Sequence, residues 1–158
     1  MDSAIIRKAT VKDIKEIVPL WIDLLDFHKK FSKRMYRFKK NYVEIYKKFL
    51  DKCLRARNAQ VFVAEKDGKV IGHCIVRIKD IPPIYEVDRE AWVDEIVVKK
   101  EFRGKGAGKK LLAASEQWAK ERGLKELSLT VHSKNKKAIE SYTKNGLHQH
   151  HIKMSKWL

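Results

Sequence analysis

Glu101-Phe102-Arg103-Gly104-Lys105-Gly106-Ala107-Gly108-Lys109-Lys110-Leu111-Leu112 decides how this chain is read. Its three glycines alternate with small or basic residues. An apolar, strand-like run at residues 92–98 precedes them, and Leu111, Leu112, Ser115, Trp118 and Ala119 follow at helical spacing. A strand, a glycine-rich turn and a helix start together build an anion site. The first amides of a helix have no intrahelical acceptor, and the helix dipole adds positive potential there. Glycine lets a bulky phosphate approach the backbone. The loop is not a Walker A motif: the position five after Gly104 is Lys109, and no serine or threonine follows to hold magnesium. Nor is it a dinucleotide fingerprint, because the sixth position counted from Gly104 or from Gly106 is Lys109 or Leu111. What fits is Arg103-x-x-Gly106-x-Gly108. By itself that pattern serves either a phosphate cradle or a tight basic turn before an ordinary helix.

The chain has 158 residues, the size of one domain spanning 1–158 with its own core. No apolar run approaches the roughly 18 residues that cross a bilayer. The first residues carry neither a basic start nor a long apolar stretch, so no secretory signal is read and a cytoplasmic protein is expected. Cys53 and Cys74 stand far apart, outside any metal or redox motif, and read as reduced thiols. No metal is implied. Thirty-six basic residues against 20 acidic ones give a formal charge of +16. Such a field attracts polyanions without saying which: a phosphorylated cofactor, nucleic acid and an anionic surface all qualify.

Periodicity orders the chain. Ile5 and Ile6 open a short strand. Thr10 is a candidate N-cap with Asp13 in the first turn. Ile14, Ile17, Val18, Trp21, Leu24, Leu25 and His28 outline an amphipathic helix, with a kink expected at Pro19. Tyr42, Ile45, Tyr46, Phe49, Leu50 and Cys53 outline a second. Residues 60–65 and 69–79 read as strands joined by the hairpin signal Asp67-Gly68. Residues 91–98 are a fourth strand, 106–122 the helix after the glycine loop, and Leu127, Leu129 and Val131 alternate as a fifth strand. Residues 135–145 form a helix with Gly146 at its C-terminal cap position, and 148–157 a last strand. The predicted order is β-α-α-β-β-β-α-β-α-β, an α+β or mixed α/β domain.

That order resembles the GNAT superfamily of acyl-CoA N-acyltransferases, with a central mixed sheet flanked by helices. Val93-Asp94-Glu95-Ile96-Val97-Val98 looks like the family's fourth strand, and Arg103 follows five positions later. Asn135-x-x-Ala138-Ile139-x-x-Tyr142-x-x-x-Gly146 looks like a second, independent family signature in the correct order. The resemblance covers essentially the whole chain and implies an acetyl-CoA-dependent N-acetyltransferase. It implies that the pyrophosphate sits on the backbone of Arg103, Gly104, Lys105, Gly106, Ala107, Gly108 and Lys109. It also implies that the pantetheine arm lies along Ile96, Val97 and Val98 like an added strand, which requires the fourth and fifth strands to splay apart. Asn135 would hold the arm from the other side or cap its helix. Tyr142 would protonate the departing thiolate, its alternative being a packed aromatic. Many relatives are dimers, so a homodimer is a further expectation.

The acceptor amine must lose a proton, since an alkylamine of pKa near 10.4 is only about 0.04% neutral at pH 7. Asp94 and Glu95 are the candidate carboxylates. Strand alternation predicts that they face opposite ways, Asp94 with Trp92, Ile96 and Val98. Polyamine-acetylating relatives carry an acid at the position of Asp94, which gives Asp94 the edge over Glu95. Residues 80–95 hold six acids and one base, Arg89, an acidic island suited to a cationic acceptor. Tyr85 and Trp92 could add cation–π contacts. A small amine or polyamine, a protein lysine and an N-terminus all fit. Lys134 departs from the tryptophan that polyamine-acetylating relatives carry there. His28 is a candidate to line the acceptor pocket. His148, His150 and His151 lack a carboxylate or cysteine partner for a metal. Residues 29–40 hold seven basic residues and no acid, interleaved with Phe31, Tyr36 and Phe38. They carry the alternative reading, a module that binds nucleic acid or ribosome on an acetyltransferase-like fold.

Overall fold

The structure, a computed structural model, describes residues 4–156 and residue 158. Among the described residues, five strands form one sheet in the order β1-β2-β3-β4-β5: β1 is Ile5–Lys8, β2 Ala59–Lys66, β3 Lys69–Asp80, β4 Arg89–Val98 and β5 Leu127–Leu129. Neighbours run antiparallel except β4 and β5, which are parallel. The helices are α1 (Ile14–Lys29), α2 (Tyr42–Arg55), α3 (Ala107–Lys120) and α4 (Lys136–Lys144). The element order therefore agrees with the sequence reading up to α4, and α1 continues through Pro19.

Each face of the sheet carries its own apolar core. On one face Ile17 and Leu20 of α1 and Leu50 of α2 pack on Val61, Val63 and Ile75. On the other, Leu111, Trp118 and Ala119 of α3 pack on Ala64, Cys74, Val76, Ala91 and Val93. The apolar stripe read from the sequence is thus the buried face of α3. Leu50 and Leu111 are wholly buried, and truncating such a leucine to alanine costs about 2–5 kcal/mol. Cys53 and Cys74 are buried free thiols. Among the described residues no helix is long and apolar enough to cross a membrane.

The strand expected over residues 148–157 is absent: residues 148–156 carry no strand, and Trp157 lies outside the described residues. The partner edge explains this. β5 pairs over three residues only, from Ala91↔Leu127 to Val93↔Leu129, so Val131 is also outside the sheet. The tail has little to bury, since Ile152 and Met154 are 91% and 89% exposed.

One ion network ties β1 to the start of α1. Arg7 donates to both Asp13 oxygens at 2.9 and 2.8 Å and to Glu65 at 2.7 Å, while the Thr10 amide donates to Asp13 at 2.7 Å. The Arg7 hydrogen bonds, with those of Thr10, hold the buried Asp13 carboxyl down at about 2. A depressed carboxylate stabilises the fold above its unfolded pKa, near 3.9, and that contribution is lost as pH falls through the folded value. Asp13 therefore contributes about 2 kcal/mol at neutral pH. Urea unfolding at several pH values checks this: the wild type loses that amount between about pH 5 and 2, and Asp13→Asn lacks this part of the slope.

Candidate active site

The site is built where β4 leaves its parallel neighbour. β5 pairs with β4 no further than Val93, so the β5-facing edge of residues 94–98 is open among the described residues. The opposite edge keeps its antiparallel pairing with β3 as far as Gly72↔Val98. An open edge at this place is what the resemblance implied for the pantetheine arm.

A bulge sits at the same point. Ile75 pairs with Glu95 and Val76 with Val93, leaving Asp94 as the extra residue of β4. A bulge shifts the alternation of side chains by one. The expectation that Asp94 and Glu95 face opposite ways, with Asp94 beside Ile96 and Val98, is therefore corrected. Both carboxylates lie on the side of α2. Arg77 binds both Asp94 oxygens, one at 2.7 Å, and its guanidinium lies 5.4 Å from the Phe49 ring centre. Glu95 meets the Tyr46 hydroxyl of α2 in a short hydrogen bond and His73 Nε2 at 2.8 Å. Val93 packs with α3, as do Ile96 and Val98 after the bulge, whereas Val97 joins the α1–α2 core.

Beyond β4 the chain makes a 3-10 turn, Lys100–Phe102, and enters the glycine loop. Gly104 and Gly106 have φ of +76° and +85°, a left-handed conformation that side chains with a Cβ rarely adopt. Gly106 is the N-cap of α3. Among the described residues, none of the amides from 104 to 109 donates to a protein acceptor; Lys110 is the first, bonding the Gly106 carbonyl at 3.0 Å. Six consecutive free N–H groups at a helix start, flanked by Lys105 and Lys109, form an anion cradle. Lys110 turns away to the Ala4 carbonyl at 3.2 Å. Arg103 folds back over β4: its Nε donates to the Val98 carbonyl at 2.8 Å, and its guanidinium lies 5.6 Å from the Phe27 ring centre of α1.

α4 supplies the opposite wall. A cleft of about 170 Å³ runs between Ile96, Val97 and Val98 of β4, Arg103, Gly108, Lys109 and Leu112 of the loop and α3, and Ala138, Ser141, Tyr142 and Asn145 of α4. The Tyr142 hydroxyl makes no hydrogen bond to a described residue, and burial, with a smaller contribution from Cys74, pushes its phenol up to about 12. Asn135 does not line the cleft. It caps α4, its Oδ1 accepting the Ala138 amide at 3.3 Å. Ser141 and Asn145 were not singled out from sequence. They complete the 138, 141, 142, 145 stripe that the periodicity of α4 already contained. Asp94 and Glu95 lie outside this cleft, on the other face of the β4 edge.

The flanking segments pack differently from their composition. The aromatic rings of residues 29–40 are stacked within the chain: Phe31 on His132 at 5.0 Å, Tyr36 on His28 at 5.2 Å and Phe38 on Tyr42 at 5.4 Å between ring centres. His28 is thus part of an aromatic cluster joining the end of α1 to the loop before α4, and burial lowers its pKa. Within the acidic stretch, Lys79 Nζ stands 3.9 Å from the Trp92 ring centre, so that face is already taken by a cation. Tyr85 is exposed.

On this α+β fold the open edge of β4 and the glycine-loop anion cradle lie side by side. Residues 21–147 match the acetyltransferase (GNAT) family, and the chain belongs to that family. A protein of Methanocaldococcus jannaschii named as an N-acetyltransferase is 31% identical over 153 residues. Those residues are 97% of this chain and 64% of that relative, so the chain spans somewhat less than two thirds of its length. An N-acetyltransferase of Bacillus subtilis is 27% identical over 141 residues, 89% of this chain and 87% of its own. Among solved structures, an aminoglycoside N-acetyltransferase in complex with CoA superposes with a TM-score of 0.81 at 18% identity, covering 100% of this chain and 97% of the other. At that identity the likeness is one of fold.

Proposed function

We propose that this protein moves the acetyl group of acetyl-CoA to a primary amine by direct attack in a ternary complex. The observation that carries the reading is the cleft that joins the open β4 edge, the free loop amides and the unbonded Tyr142 hydroxyl. Acetyl-CoA would supply a thioester whose carbonyl the amine attacks, the carbon–sulfur bond breaking to leave the CoA thiol. The amides of residues 104–109 bind the pyrophosphate, with Lys105 and Lys109 adding charge. The backbone of Ile96, Val97 and Val98 takes the pantetheine arm as an added strand. Arg103 releases the Val98 carbonyl as the arm enters. Asn135 keeps the start of α4, and with it the cleft wall, in place through its cap.

Tyr142 holds its proton throughout the physiological range and gives it to the departing thiolate. Glu95 accepts the proton that the attacking amine must lose. We place Glu95 in this role in preference to Asp94, because Arg77 occupies both Asp94 oxygens while Glu95 bonds through one oxygen only. The acidic stretch 80–95 favours a cationic acceptor: a small amine or polyamine, a protein lysine or an N-terminus. The nucleic-acid reading of residues 29–40 is not adopted, since its aromatic rings are spent on contacts inside the chain.

Thiol release from acetyl-CoA, measured against a panel of acceptors, tests the reading. Cationic amines are expected to support turnover; preference for anionic acceptors, or no release with any amine, contradicts it. The β3–β4 pairing gives a second check. A Cβ on Gly72 would stand 2.7 Å from the Val97 carbonyl oxygen and 3.3 Å from the Val98 Cα, so the arm-binding edge must move. Gly72→Ala should lose about 1–3 kcal/mol of stability and weaken acetyl-CoA binding severalfold, read by urea unfolding and calorimetric titration.

A further inference from the structure

His73, on β3, is wholly buried, with Nε2 2.8 Å from Glu95 Oε1. Tyr46 of α2 donates its hydroxyl to that same oxygen and stands 3.4 Å from His73 Nε2. His73 Nδ1 has no partner among the described residues. A proton on Nδ1 would be a buried N–H without an acceptor, so the proton belongs on Nε2, aimed at Glu95. Two donors from two different elements thus converge on Oε1, and Oε2 bonds no described residue. Tyr46 is itself fixed, its ring stacked on Trp21 at 3.8 Å and 5°, and burial, with Glu95, raises its pKa far above the ordinary phenol value. The other ionisable groups that interact with Glu95 are Asp94, paired with Arg77, and the thiols of Cys53 on α2 and Cys74 on β3.

We propose that Tyr46 and His73 are positioning residues for Glu95: together they pin Oε1 and present Oε2 as the oxygen that takes the amine proton. The inference rests on the reading of Glu95 as the amine-side base. A carboxylate on a flexible stem samples several rotamers, and a base must sit within hydrogen-bond reach of the proton it removes. Donors anchored on β3 and α2 restrict Glu95 to one.

Tyr46→Phe is the main test, because it keeps the ring, the stack on Trp21 and the packing while removing the donor. It should lower kcat about ten- to hundredfold, with the dissociation constant of acetyl-CoA and the KM of the amine unchanged within about twofold. His73→Leu should act in the same direction, and His73→Gln, which keeps a donor, should recover most of the rate; thermal unfolding verifies that each variant is folded. In a Glu95→Gln background, Tyr46→Phe should add less than about twofold, since residues acting as a unit are not additive. If Tyr46→Phe turns over at the wild-type rate, or its loss simply multiplies with that of Glu95→Gln, the positioning role is overturned. If Glu95→Gln itself is fully active, it is the underlying reading of Glu95 that fails.

Discussion

Replacing Tyr142 with phenylalanine should lower kcat at least tenfold, toward the range of about 10²–10⁴ typical of a lost acid–base group, while acetyl-CoA binds as before. Tyr142 stands on the cleft stripe of α4 with its hydroxyl unbonded to any described residue, and phenylalanine keeps the ring and its packing. Without the phenol the thiolate must leave as an anion, with no proton donor beside it from α4. The raised pKa fixes the pH behaviour: a phenol held at about 12 is still protonated where an ordinary tyrosine, near 10, would be half ionised. The wild-type rate should therefore show no alkaline loss up to about pH 11 from this group. Steady-state kinetics from pH 6 to about 10.5, with parallel calorimetry, checks both parts. A wild-type rate in Tyr142→Phe would leave Tyr142 as a packed aromatic.

Glu95→Gln should have the second large effect, a drop of about 10²–10⁴ in kcat/KM for the amine at neutral pH, with acetyl-CoA affinity retained. Glutamine preserves the shape and still accepts from Tyr46 and His73, so the fold is expected to stand. The deficit should shrink as pH rises toward the acceptor's own pKa near 10.4, because a growing share of amine is then already neutral. Asp94→Asn is the control that separates the two carboxylates. It breaks the pairing with Arg77 and should cost stability more than rate. A pH-independent deficit in Glu95→Gln would mean that the side chain shapes the site without handling the proton.

The parts of this site that could be read from sequence are those where backbone geometry demands particular residues. Gly104 and Gly106 adopt left-handed φ, the stripe from Leu111 to Ala119 is the buried face of α3, and Asn135 and Gly146 bracket α4. The splay was reached only through family resemblance, since nothing in Leu127-Ser128-Leu129 announces that pairing will stop at Val93. The bulge at Asp94 was invisible for a physical reason: Val93-Asp94-Glu95-Ile96 alternates acceptably in a regular strand, and only pairing with Ile75 and Val76 shows that one residue is extra. That single insertion moved Asp94 to the face of Glu95 and reversed their ranking. Tyr46 and His73 belong to segments read as core, and their meeting with Glu95 depends on contacts 49 and 22 residues apart. The basic segment shows the opposite error of composition. Its aromatic rings looked available for bases, whereas His28, Tyr42 and His132, outside or at the margin of the segment, occupy them.

The central claim is that acetyl-CoA is held by the loop amides and the open edge of β4. Amide chemical shifts of the ¹⁵N-labelled protein, followed through a titration with CoA, test it most directly. The account predicts saturable shifts concentrated at Ile96, Val97, Val98 and residues 103–109, with smaller ones at Ser141, Tyr142 and Asn145. Shifts confined to the basic segment 29–40, or none in the loop at saturation, would contradict it.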